Sequence, residues 1–265
     1  MNELLKVTDL HMWIQTQQGL SHILQGVHLD MKPGEIHGLI GESGCGKTMM
    51  TKAMLNLIDG KRTVIRGSIR FDEQELTELS EKERRKIGGR HIGYITQDPL
   101  TALNPLYTVG AQIAEMLRYH KKIKKKEDME EAASQLERVG IQPGEQMCRR
   151  YPHQFSGGQL QRICLAMAVC CEPKLLIADE PTTALDVTTQ AQILDLLKSL
   201  QKDGLAILLI THDFGVVSEI CHRISVMEKG VIVEEGLTDA IFNSPVQAYT
   251  KRLIDSAVRK EGAYE

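Results

Sequence analysis

The segment Gly41-Glu42-Ser43-Gly44-Cys45-Gly46-Lys47-Thr48 fits the pattern G-x-x-x-x-G-K-[ST]. Glycines at these positions let a backbone wrap closely around an anion, with main-chain N–H groups at a helix start pointing at it. Lys47 adds a cation for β- and γ-phosphate oxygens, and the Thr48 hydroxyl is a ligand for Mg2+. The chemistry implied is nucleotide-phosphate binding. A second group lies in Leu175-Leu176-Ile177-Ala178-Asp179-Glu180, an apolar run ending in two carboxylates. A buried strand would deliver Asp179 to its C-terminal edge, where it can hold Mg2+ through water. Glu180, one residue on, is placed to polarise a water against the γ-phosphate. Gln97 and His212 end two further strand-like runs. Gln97 can ligand the metal or the attacking water, and His212 can hydrogen-bond the γ-phosphate.

Phe155-Ser156-Gly157-Gly158-Gln159 stands before a helical stretch. Ser156 is of the N-cap type, and the two glycines open a second anion-binding helix start. One nucleotide site does not need two such starts. Either this is a simple capped helix, or it serves the phosphate of a neighbouring subunit.

These groups need elements to carry them. Leu4 to Leu10 and Ile23 to Met31 read as strands, Pro33-Gly34 as a turn, and Glu35 to Ile40 as an apolar strand entering the glycine loop. Met50, Ala53, Met54 and Leu57 recur at helical spacing, so a helix is expected from Lys47 to Ile58. Further helices are expected over Val109 to Tyr119, Asp128 to Val139, Gly157 to Cys171 and Val187 to Gln201. Strands return at Lys174 to Asp179, Leu205 to Thr211 and Ile224 to Met227. The arrangement is an α/β core over 1–97 and 173–236, a helical insert over 98–172 and a helical tail over 237–265.

A length of 265 residues suits one large domain or two small ones. Lys+Arg 32 against Asp+Glu 35 gives a formal charge of −3, and aromatics are 4%. There is neither a basic field nor an aromatic platform for nucleic acid. Cys45, Cys148, Cys164, Cys170, Cys171 and Cys221 form no C-x-x-C pair and read as free thiols of a reducing compartment. Cys45 stands at a positive helix end, where thiolates are favoured, so it is expected to react with thiol reagents and to be shielded by bound nucleotide. Met1-Asn2-Glu3 does not open a signal peptide, and no apolar run approaches the ~20 residues of a spanning helix. Any membrane role is therefore expected to run through a partner. The run Lys121-Lys122-Ile123-Lys124-Lys125-Lys126 is followed at once by Glu127, Asp128, Glu130 and Glu131, and reads as a solvated loop and helix start.

Together these motifs resemble the ATP-binding subunit of an ABC transporter over essentially the whole length. Gly41 to Thr48 matches the Walker A loop, Gln97 the Q-loop and Ser156 to Gln159 the signature motif. Leu175 to Asp179 matches Walker B, Glu180 the catalytic glutamate, Ala184-Leu185-Asp186 the D-loop and His212 the switch histidine. The resemblance implies a P-loop NTPase (RecA-like) core with an N-terminal antiparallel β region and an inserted α-helical subdomain. It implies ATP and Mg2+, with two subunits sandwiching two ATP molecules between Walker A of one and the signature of the other.

Finer likeness lies in Gln97-Asp98-Pro99-Leu100-Thr101-Ala102-Leu103-Asn104-Pro105, in Tyr151-Pro152-His153-Gln154-Phe155, and in the stretch Asp179 to Val187. These are similar to the oligopeptide, dipeptide and nickel importer branch. That branch implies uptake of peptides or nickel, with a second ATPase subunit (a related chain or itself), two permeases and an extracytoplasmic binding protein. The chain would then sit at the cytoplasmic face of the membrane. Its insert near Asn104 to Tyr119 would receive a permease's coupling helix and pass on the movement of Gln97. No cysteine follows Cys221, so the iron–sulfur extension of some members is not expected.

Departures from the branch are Met49-Met50 after Thr48 and the lack of His-Pro before Tyr249-Thr250. Trp13 and His22 are candidates for stacking adenine, and Trp13 reads equally as core. A non-transport ABC-type ATPase acting as a clamp in DNA repair or translation would generally carry long coiled-coil insertions or two fused domains. A P-loop kinase would leave Ser156 to Gln159 without a purpose.

Overall fold

The computed structural model describes residues 3–261 apart from 18, 59, 61 and 184. Ala184 of the expected D-loop and the Met1-Asn2 start lie outside the described residues. The strands are β1 (Leu5–Thr16), β2 (Gly19–Met31), β3 (Ile36–Ile40), β4 (Thr63–Phe71), β5 (Gln74–Glu75), β6 (Ile92–Ile95), β7 (Leu175–Asp179), β8 (Ala206–Thr211), β9 (Arg223–Glu228) and β10 (Val231–Leu237). They are shared between two compact units, Met1–Arg84 with Ala206–Glu265, and Arg85–Leu205.

In the first unit β2, β1, β4 and β5 form an antiparallel sheet in that order. The sequence suggests that β1 ends near Leu10, but it continues to Thr16. Leu5 and Val7 alternate inward, Asp9 takes a left-handed φ of 49°, and Leu10 and Met12 resume the inward face one residue out of step. Such a bulge breaks the period of two that betrays a strand. Gly67 of β4 faces it, where a Cβ would lie 2.3 Å from the Asp9 carbonyl oxygen.

The same unit carries β3 between β8 and β9, all parallel, with β10 antiparallel to β9. Every residue of β3 and β8 is buried, the pattern of strands covered on both faces. Gly38 of β3 lets the helix Phe214–Ile220 close on it, since a Cβ there would meet Val217 Cγ1 at 2.9 Å. Glu228 pairs with Val231 across Lys229-Gly230, both at positive φ. That is the two-residue hairpin turn whose twist suits antiparallel strands. The helix after the glycine loop spans Lys47–Leu55, shorter than the spacing suggests, because Asn56 caps it in the left-handed conformation. Helices Thr238–Asn243 and Ala248–Glu261 complete the unit.

In the second unit β6 and β7 pair in parallel up to Ile95↔Ala178. Around them lie helices Val109–Met116, Asp128–Arg138, Gly144–Cys148, Gly157–Val169 and Val187–Lys202. Their apolar stripes supply Val109, Ile113, Ala132, Leu136, Ile163, Leu165, Ile193 and Leu197 to the core. The first of these helices is capped by Thr108, whose hydroxyl accepts from Ala111 N at 3.3 Å, and runs on as a π turn over Leu117–Lys121. Gly110 allows a tight crossing, since a Cβ there would stand 2.5 Å from Cys148 Cβ. Lys122 and Lys124 to Lys126 are exposed and Lys121 pairs with Glu172 at 2.9 Å, in keeping with a solvated loop.

Candidate functional site

The glycine loop leaves the C-terminal end of β3. Because Ile40 pairs with Thr211, Gly41 and the exposed His212 emerge from adjacent parallel strand ends. That edge is where open parallel sheets bind ligands. Close backbone approaches hold the loop. A Cβ at Gly41 would lie 2.2 Å from the Met227 carbonyl oxygen, and the Cys45 carbonyl accepts from Gly230 N–H at 2.8 Å. Gly44 and Gly46 have φ of 81° and 116°, values side-chain-bearing residues avoid. The helix Lys47–Leu55 therefore starts at a residue that cannot cap it, and its first N–H groups are the donors an anion takes.

Lys47 is 5% exposed. Its ammonium donates to the carbonyls of Gly41 at 2.7 Å and Glu42 at 3.0 Å. The loop thus solvates the charge that the sequence assigns to phosphate. Cys45 departs from expectation. Its Sγ lies 3.8 Å from Lys47 Nζ, yet burial pushes the thiol up and outweighs the ammonium. Desolvation of a thiolate here exceeds what a helix end and one shared cation return. Cys45 is a buried thiol whose thiolate is disfavoured, against what the helix end alone suggests.

In the second unit β7 ends at Asp179, which is 3% exposed and whose Oδ2 accepts from the Tyr94 hydroxyl at 3.3 Å. Glu180 follows in a left-handed conformation, φ 50°, a strain of about 1–3 kcal/mol for a residue with a side chain. Its carboxylate Oε2 accepts from Gln97 Nε2 at 3.0 Å and from Thr183 Oγ1 at 2.9 Å. Gln97 and Glu180 are thus brought together by the parallel pairing of β6 and β7. Since Gln97 spends Nε2 on Glu180, its Oε1 is the atom suited to a cation. The Asp179 carboxylate and the Gln97 carbonyl of this unit are both oxygen donors, the chemistry that fits Mg2+.

Ser156 caps the helix Gly157–Val169 reciprocally. Its Oγ accepts from Gln159 N at 3.4 Å, and Gln159 Oε1 accepts from Ser156 N at 3.0 Å. A Cβ at Gly158 would stand 2.4 Å from Thr189 Cγ2, whereas Gly157 faces open space. Thr189 in turn donates its N–H to Asp186 Oδ1 at 2.9 Å and its hydroxyl to Oδ2 at 2.7 Å. These bonds, the hydroxyl foremost, hold the Asp186 carboxyl below the usual range. Signature helix and Asp186 cap therefore meet at one threonine.

Trp13 is half-buried rather than core, stacked on His22 with ring centres 4.4 Å apart. Tyr94, Thr183, Thr189 and Gly230 were not evident as site residues in the sequence. Only the turn pair Lys229-Gly230 carried a local signal.

The ABC transporter family model matches residues 24–183. The dipeptide transport ATP-binding protein DppD of Bacillus subtilis is 47% identical over 262 residues, which cover 98% of this chain and 78% of that protein. The oligopeptide transport ATP-binding protein OppD of the same organism is 46% identical over 264 residues, 99% of this chain and 74% of that one. Among solved structures, the ATP-binding cassette MJ0796 in a post-hydrolysis dimer with ADP and Pi matches with a TM-score of 0.79 at 28% identity, over 88% of this chain and 98% of that one. CbiO1 of Clostridium perfringens, part of the ABC transporter complex cbiONQ, matches at 0.78 and 27%, over 100% and 99%. These are transporter cassettes rather than repair or translation clamps. With a glycine loop and a capped signature helix in a P-loop NTPase fold, the chain belongs to the ABC transporter family as an ATP-binding, ATP-hydrolysing importer subunit.

Proposed function

We propose that this subunit drives uptake of peptides, and that the observation carrying its chemistry is Glu180, strained at φ 50° and held by Gln97 at 3.0 Å. The names of its relatives, dipeptide and oligopeptide transport proteins, support peptide cargo over nickel. Lys47 and the amides of residues 41–48 hold the triphosphate. Glu180 orients water in line with the γ-phosphate and takes its proton, while Gln97 and Thr183 keep that carboxylate in one rotamer. His212 donates to the γ-phosphate oxygens as charge spreads over them. Mg2+, held by Thr48, Gln97 and Asp179, would supply charge neutralisation on the β- and γ-oxygens.

Ser156 to Gln159 and Asp186 serve the neighbouring ATPase subunit, whether a related chain or a second copy. Leu106 is 80% exposed, with Leu100 and Tyr107 also open. These open apolar side chains suit the coupling helix of a permease; two permeases would hold the subunit at the cytoplasmic face and take substrate from an extracytoplasmic binding protein. No helix among the described residues is long and apolar enough to cross a membrane. The chain is read as one ATPase domain, with core 1–97 and 173–236, insert 98–172 and tail 237–265.

In the assembled transporter, Glu180→Gln is expected to bind ATP as the parent does and to lose at least roughly 100-fold in turnover. Near-parental turnover would remove Glu180 from its role. Hydrolysis stimulated by nickel-loaded binding protein and not by peptide would overturn the cargo.

A further inference from the structure

The C-terminal helix Ala248–Glu261 has no chemistry in the readings above, yet it reaches the phosphate loop. Tyr249 is 6% exposed, and its phenol oxygen accepts from the main-chain N–H of Glu42 at 3.1 Å. The helix start is fixed from β10, where the Glu234 carboxylate accepts from Val246 N at 2.7 Å and Gln247 N at 3.1 Å. The Arg252 guanidinium lies 5.8 Å from the centre of the Tyr249 ring. Burial raises the phenol's pKa, so it stays neutral at physiological pH.

We propose that Tyr249 is a positioning residue for the phosphate loop, gripping Glu42 so that the loop keeps its receiving shape when Lys47 turns to a triphosphate. The two ends of the loop are held differently. Cys45, Gly46 and Lys47 are buried, and Gly230 N–H ties the Cys45 carbonyl. Glu42, Ser43 and Gly44 are exposed. Glu42 is gripped at both main-chain groups, its N–H by Tyr249 and its carbonyl by Lys47 Nζ at 3.0 Å and by Cys45 N–H at 3.3 Å. Once Lys47 transfers to phosphate oxygens that carbonyl keeps the local Cys45 N–H, and Tyr249 is the hold that ties residue 42 to an element outside the loop. The affinity of the loop thereby depends on a helix that begins 200 residues further along the chain.

This rests on the phosphate-binding reading of residues 41–48, so the test separates the two. On the full chain, MgATP affinity is measured by titration calorimetry for Tyr249→Phe, Lys47→Ala and Ile69→Val. The last trims a buried side chain of the antiparallel sheet and controls for general loosening. Tyr249→Phe is expected to weaken MgATP and MgADP alike by roughly 3- to 10-fold, the value of one neutral hydrogen bond. In the assembled transporter the same factor appears in KM for ATP, with kcat unchanged. Lys47→Ala loses binding altogether, and Ile69→Val keeps parental affinity at an equal or larger loss of Tm. Affinity of Tyr249→Phe within twofold of the parent, while Lys47→Ala has lost binding, overturns the proposal alone. So does an equal loss of affinity in Ile69→Val. Parental binding by Lys47→Ala overturns the phosphate reading and this proposal with it.

Discussion

Two glycine-rich helix starts, at Gly46 and at Ser156, look alike in sequence and are built on opposite principles. At Gly46 the chain takes φ 116°, the cap position has no side chain, and the loop is braced from Met227, Gly230 and Tyr249, all far along the chain. At Ser156 the cap closes within four residues, Ser156 and Gln159 satisfying each other's main chain. The first start keeps its amides for an external anion and needs tertiary support to do so. The second is self-sufficient and exposed, a finished helix end that can be offered to another subunit.

Moving the serine device to the phosphate loop should damage it most. Gly46→Ser forces a side chain into φ 116° and sets its Cβ 3.2 Å from Leu24 Cδ2. A loss of about 1–3 kcal/mol of stability is expected, with MgATP affinity falling too. Denaturant unfolding and titration would show both, and a Gly46→Ser protein that melts and binds like the parent would erase the contrast. Ser156→Ala removes the local cap and should cost about 1 kcal/mol, read as a Tm lower by roughly 2–4 °C. An unchanged Tm would mean that Gln159 and the packing of Gly158 on Thr189 hold the helix start alone. The smallest effect concerns Cys45. Because burial raises its thiol above the ordinary 9.0, thiolate is scarce at neutral pH. Alkylation by iodoacetamide should be slower than for a free thiol and should climb as pH rises towards and past that value. Fast labelling at pH 7 by mass spectrometry would restore the reactive thiol expected from the helix end.

The fold was most legible where periodicity was unbroken. β3, β7 and β8 are short apolar runs, and their ends carry Gly41, Asp179 and His212 as their sequence suggests. β4 and β10 were not legible, because charge interrupts the apolar pattern of both: Arg66 and Arg70 are exposed on β4, and Glu234 and Glu235 stand side by side in β10. Within the site, Gln97 and Glu180 could each be named in advance. Their mutual hydrogen bond and the tie from Tyr94 to Asp179 could not, since each joins residues more than 80 apart in the chain. The raised thiol at Cys45, where the helix end alone suggests a lowered one, has the same origin. A helix end is a local feature, whereas desolvation depends on everything packed around it.

Sequence alone determined which chemical groups this protein brings to a triphosphate: glycines that bare their amides, a lysine, a carboxylate pair and a serine-capped helix. Those are properties of residue type and spacing, written within eight residues or fewer. Tertiary structure alone decided how the groups are held, because burial, strand register and the grip of Tyr249 on Glu42 join residues far apart in the chain.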